Sequence, residues 1–240
     1  MNVQMKPAQR NESGISLFSG EMKMAEIIEA NPGLLDILSR LDVRCDFGDR
    51  TVDEVCRLSG VDTPTFLMLC NVYTFDGYIP SSAQIGKGRV RDIVLYLRKS
   101  HKYYLDEAVT ALQADIEGLL APCSASQRAA VWKFFTEYRM ELEKHFDYEE
   151  RVVFPYVDAL LGGGVTDAYS IGQFEEHHSN IEEKLNDLKN IVMKYLPPAC
   201  EDRLRIRVLE DVFRLRADLV RHTDVENGIL IPMVSRMEEK

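Results

Sequence analysis

A repeat at an offset of 77 residues constrains this 240-residue chain more than any other feature. The segment ELEKHFDYEERVVFPYV, from Glu141 to Val157, lies over DLVRHTDVENGILIPMV, from Asp218 to Val234. His145 falls on His222, Asp147 on Asp224, Glu149 on Glu226 and Pro155 on Pro232. The same shift carries His101 onto His178, so four of the five histidines pair under one offset. Two helix pairs related by a pseudo-twofold arrangement account for this.

Hydrophobic periodicity supplies the helices. Long helical patterns run roughly over 91–120, 125–160, 167–196 and 202–238. The breaks between them are Pro122-Cys123-Ser124, Gly162-Gly163-Gly164 and Pro197-Pro198. Short connections between long helices make neighbours antiparallel, so residues 91–240 are expected to form an up-down-up-down four-helix bundle. From His101 to the break near residue 121 is about 30 Å at the helical rise of ~1.5 Å per residue. The return from residue 125 to His145 is about the same, and the second half makes a similar round trip from His178 to His222. The four histidines therefore share one layer.

Within each copy, His145 and Glu149, like His222 and Glu226, are i and i+4. Their side chains lie on one helix face, one turn apart. An imidazole beside a carboxylate suits iron, zinc or manganese. Two such pairs facing each other offer two nitrogens and two carboxylates, and because a carboxylate spans two metals, they suggest a dinuclear centre. A lone histidine on an apolar face is ordinarily packed core or surface, and His101 alone would be read so; the paired HxxxE copies argue against that here. Asp147 and Asp224 lie about 200° round the helix from their histidines and read as surface groups. Glu141 and Asp218, one turn before the histidines, are either outer acceptors or proton relays for the ligands, or solvated groups. His177 and His178 point about 100° apart, and the apolar arc of Phe174, Ile181, Leu185 and Leu188 falls between them. The offset selects His178.

The first third differs. Residues 1–20 read as a polar arm, 21–76 as a small helical domain and 77–90 as a linker rich in Gly, Pro and Ser. Thr51 with Glu54 has the spacing of a capping box. Thr63-Pro64 starts a further helix, because proline suits the first turn. The fold class is thus all-α, a bundle preceded by a small helical domain. A formal charge of −10 repels polyanions, so no nucleic-acid partner is expected. No apolar run is long enough to cross a membrane, and the first residues lack the apolar core of a signal peptide. The expected location is the cytoplasm, where five irregularly spaced cysteines remain thiols.

At His101, His145-x3-Glu149, His178 and His222-x3-Glu226, with Pro155 and Pro232 six residues past each glutamate, the chain resembles the hemerythrin-like di-iron domain. LDVRCDFGDRTVDEVC, from Leu41 to Cys56, is similar to the N-terminal segment of the repair-of-iron-centres family. The resemblance covers residues 22–240. It implies two non-haem irons joined as Fe–O–Fe, with those four histidines and two glutamates as metal ligands. It also implies a role in restoring iron–sulfur clusters after oxidative or nitrosative damage, by donating iron or reducing nitric oxide. Iron–sulfur proteins would then be clients, oxygen or nitric oxide small ligands, and a homodimer an allowed assembly.

Two departures stand out. Where the family has a cysteine pair, this chain has Cys45-Asp46, and Phe47 replaces the first glycine. Oxygen-carrying hemerythrins bring a second third-helix histidine at i+4, whereas here Glu182 follows His178 at that spacing. A position left to water or a small ligand favours reaction over reversible carriage. Oxygen or nitric oxide sensing, with the N-terminal domain reading out the metal state, is the competing function. A metal-free helical scaffold is the third.

Overall fold

The computed structural model describes residues 17–164, 169–177 and 181–239, without the side chains of residues 175–177, 182 and 183. Among these residues there is no strand, and one isolated bridge pairs Lys23 with Thr51. The protein is all-α. The chain divides into two units, one of residues 1–96 with 224–236, the other of 97–223 with 237–240.

The first unit contains α1 (Met24–Ala30), α2 (Leu34–Arg40), α3 (Val52–Ser59), α4 (Thr63–Thr74) and the single turn α5 (Ser82–Ile85). Asn31 separates α1 from α2: its Oδ1 accepts from the Gly33 amide, and its Nδ2 donates to the Tyr73 carbonyl and to Thr74 Oγ1. The Thr51–Glu54 box closes in both directions, and α3 ends on Gly60 at φ 72°, a conformation glycine adopts without strain. Pro64 occupies the first turn of α4, while Asp62 is the residue that caps it. Met24, Ile27, Leu34, Ile37, Phe66 and Leu69 are fully buried and hold these short helices together. A fully buried aliphatic or aromatic side chain contributes about 1.5–3 kcal/mol, far more than the propensity of a seven-residue helix. The Gly77–Gly88 stretch is ordered by α5, which Ser81 and Gln84 cap reciprocally. A Cβ on Gly88 would lie 2.4 Å from the terminal methyls of both Met68 and Met233, so these two flexible side chains would have to shift to admit one.

The second unit carries the bundle. Its rods are α6 (Val90–Lys102) continuing to α7 (Val109–Leu119), α8 (Ala125–Tyr148) continuing to α9 (Phe154–Leu161), α10 (Ile171–His177) with α11 (Ile181–Lys194), and α12 (Asp202–Val225), which runs on to α13 (Ile231–Glu238). Residues 90–96 of the first run and 224–236 of the fourth are grouped with the other unit. Val131, Phe135, Tyr138 and Leu142 of α8, with Val208, Val212, Leu215 and Leu219 of α12, are buried in one apolar core at the 77-residue offset. Leu112 and Ile116 of α7, and Leu185, Leu188 and Val192 of α11, complete it.

Among the described residues, three π turns interrupt the α-helices: π1 (Tyr103–Ala108), π2 (Glu149–Val153) and π3 (Glu226–Leu230). The amides of Val109, Phe154 and Ile231 donate to the carbonyls of Tyr104, Glu149 and Glu226, five residues back instead of four. Pro155 and Pro232 explain two of them. Proline has no N–H to give and its ring crowds the carbonyl four residues earlier, so the α register cannot pass through. The extra residue in each turn absorbs that conflict. No local residue marks π1.

Candidate metal centre

The predicted ligands in the second unit converge on Glu149. Its side chain is fully buried at the C-terminal end of α8, where π2 begins. One oxygen lies 2.8 Å from His145 Nε2, the other 2.9 Å from His101 Nε2, and His222 Nε2 is 4.0 Å from the latter oxygen. The i, i+4 spacing delivers His145 as the sequence predicts. His101 comes from α6, and its ring stacks between Phe146, with centroids 4.1 Å apart, and Phe154 at 5.5 Å. Tyr104 meets the His222 ring edge-on, and its hydroxyl donates to the Asp218 carbonyl.

Ring nitrogens and carboxylate oxygens of His101, Glu149 and His222, all buried, lie within 4.8 Å of one another, and Glu226, in the other unit, is also fully buried. His145 stands outside that tight group but touches Glu149 directly. His178 lies outside the described residues. His177 ends α10, and its side chain is likewise outside them. Of the two outer groups considered, Glu141 pairs with Lys184 and is exposed. Asp218 is buried on the ligand side of α12.

Sequence reasoning missed Glu150. Its Oε1 accepts from His101 Nδ1 at 2.9 Å, and its Oε2 faces Arg98 Nε at 3.3 Å. Burial pushes the Glu150 carboxyl up, but the hydrogen bonds from His101 and Arg98 and the charge of Arg98 outweigh it and hold it below the ordinary glutamate range. An ionised Glu150 can only accept, so His101 carries its proton on Nδ1. The chain continues outward, since Arg98 Nη2 donates to Asp158 at 3.1 Å. Arg98, His101, Phe146 and Glu150 line one side of a cavity of about 630 Å³. Helical periodicity could not reveal this contact, because it joins residues 101 and 150 across two rods.

The tautomer tests whether the donor set fits a cation. With Nδ1–H engaged by Glu150, neutral His101 turns the bare lone pair of Nε2 toward a Glu149 oxygen only 2.9 Å away. Two lone pairs at that distance repel unless an electrophile, a proton or a metal ion, lies beside both. Neighbouring donors on one ion with bonds of ~2.0–2.2 Å are separated by about 3 Å, which matches. A fully buried carboxylate also requires a compensating positive charge. The residues present fit a cation of the imidazole–carboxylate class.

Comparison with known proteins agrees. Residues 92–234 match the model described as the hemerythrin HHE cation binding domain. The iron-sulfur cluster repair protein YtfE of Enterobacter sp. (strain 638) is 26% identical over 149 residues, covering 62% of this chain and 66% of that protein. The proteins of the same name from Salmonella paratyphi B and Salmonella newport are 25% identical over 100 residues, covering 42% of this chain and 44% of theirs. The chain thus spans 66% of the length of the first relative and under half of the other two.

Proposed function

This chain belongs to the hemerythrin HHE cation-binding family, and on that premise we propose that it is a di-iron protein supporting repair of damaged iron–sulfur clusters. The residues that would hold the metal are His101, His145, Glu149, His178, His222 and Glu226. The protein acts in the cytoplasm under oxidative or nitrosative stress, on iron–sulfur proteins as clients, with oxygen or nitric oxide as small ligands. The likeness to YtfE supports the repair role. No helix among the described residues is long and apolar enough to cross a membrane. The observation that carries the metal reading is His101, held by Glu150 on one nitrogen and turned toward Glu149 with the other.

When bound, two irons supply one-electron redox chemistry and positions for a small ligand. The chain's own residues do the rest. Glu150 fixes the His101 tautomer and its rotation within the ring plane. Phe146 and Phe154 stack on that ring and hold its plane. His101 Nδ1, Glu150 and the cavity beside it form a path by which a proton leaves or reaches the centre.

The test is iron content of the purified protein, followed by reactivation of an iron–sulfur enzyme inactivated by nitric oxide. Wild type holds two irons per chain and restores activity, and Glu149→Ala does neither. Equal reactivation by a metal-free variant removes the repair reading.

A further inference from the structure

At the loop end of the bundle, remote from the candidate centre, two buried thiols face each other. Cys123 lies in the connection from α7 to α8 and Cys200 in the connection from α11 to α12. They are 4% and 2% exposed, and their sulfurs are 3.4 Å apart. The distance from Ala125 along α8 to His145 is about 30 Å, so these sulfurs belong to a different site.

The pair obeys the offset that relates the ligands: Cys123 and Cys200 are also 77 residues apart. So are Arg128 and Arg205, and each arginine ties down the backbone of its own connection. Arg128 Nη1 donates to the Cys123 carbonyl. Arg205 donates to the Val192 and Pro197 carbonyls at 2.7 and 3.0 Å. Ser124 caps α8 and fixes the chain immediately after Cys123. Both connections are thus anchored on either side of the sulfurs, which meet within the apolar core and not at a mobile surface.

We propose that Cys123 and Cys200 form a reversible disulfide when the protein meets hydrogen peroxide. A disulfide needs sulfurs ~2.05 Å apart with Cβ atoms near 3.8 Å. The sulfurs, 3.4 Å apart, have about 1.4 Å left to close. In the first step one sulfur, as thiolate, attacks a peroxide oxygen. An S–O bond forms, the O–O bond breaks and water leaves after protonation. The second thiol then attacks that sulfur, the S–O bond breaks, and a second water departs. Two thiols and one peroxide give one disulfide and two waters; sulfur is oxidised and peroxide reduced. Burial and the neighbouring Cys123 push the Cys200 thiol up, so the reaction is slower than at an exposed thiolate. Once formed, the bond joins the two connections at the far end of the bundle and closes a long loop of the unfolded chain.

The experiment exposes the full-length reduced protein to hydrogen peroxide, blocks remaining thiols with an alkylating agent and maps peptides without reductant. The expected product is a peptide pair joined through Cys123 and Cys200, two hydrogens lighter than its parts, which dithiothreitol separates. The oxidised chain melts several degrees higher than the reduced one, and the gain vanishes on reduction. Cys123→Ser and Cys200→Ser each lose the linked pair and the gain. The wild-type map decides the matter even if a variant fails to fold. Sulfinic acid at either residue, or links only to Cys45, with helical circular dichroism retained, would overturn the proposal.

Discussion

Replacing Glu150 with alanine should weaken iron binding without unfolding the protein. Two contacts are lost, and their sizes differ. Arg98 and Glu150 are 38% and 36% exposed, so solvent reduces their ion pair to about 0–1 kcal/mol. The bond to His101 joins a charged acceptor to a ring whose side chain is 5% exposed, worth about 1.5–3 kcal/mol. Loss of an outer partner of a metal-binding histidine commonly lowers affinity about 10–100-fold, the same range expressed as a ratio. The stacked phenylalanines do not replace it: they fix the plane of the His101 ring, and the hydrogen bond fixes rotation within that plane. Glu150→Gln keeps an acceptor oxygen and should stay within about tenfold of wild type. The assay is competition for ferrous iron against a chelator of known affinity, with thermal unfolding as the control for fold. A Glu150→Ala affinity within about twofold of wild type would show that ring packing alone orients His101.

Three further outcomes follow from the same geometry. Glu149→Ala or Glu226→Ala should lose iron and, by leaving buried histidines without their carboxylate, about 3–5 kcal/mol of stability, read by iron analysis and denaturant unfolding. His178→Ala should lose at least one iron while His177→Ala keeps both; the reverse iron counts would defeat the offset argument at that helix. Deleting residues 1–88 removes Met68 from Met233, which is 5% exposed, and should cost about 1.5–3 kcal/mol at that contact alone, seen as a lower melting temperature. An unchanged melting temperature would show that residues 91–240 fold independently.

Features governed by local spacing were legible in the sequence. The His145–Glu149 spacing, the Thr51–Glu54 box and the helix breaks at residues 122–124 and 162–164 depend on neighbours a few residues apart, and the described structure shows each. Features that depend on packing between rods were not. Nothing near residue 150 announces that it meets His101. The grouping of residues 224–236 with the first unit likewise rests on long-range burial, such as the approach of Met233 to Gly88. The Gly77–Gly88 stretch was legible only in composition; the Ser81–Gln84 spacing that starts α5 is a capping signal overshadowed by the surrounding glycines. Pro155 and Pro232 stand out in the sequence, but proline alone does not say whether a helix kinks, stops or widens.

The π turns also bear on how this chain can change over generations. Each holds one residue more than an α-helix uses for the same span, so each is an insertion that a helix has accommodated without breaking. Buried positions before π1 match the second half at 77, as Val94 and Leu97 do with Ile171 and Phe174; beyond it Val109, Leu112 and Ile116 match Leu185, Leu188 and Val192 at 76. A single-residue loss in π1 would therefore re-phase α7 by about 100° and turn its apolar face out of the core. Insertions and deletions are ordinarily tolerated in loops and rejected in helices. Here the surplus residues sit within the rods that carry His101, Glu149 and Glu226, so the length of those segments is as constrained as the identity of the ligands.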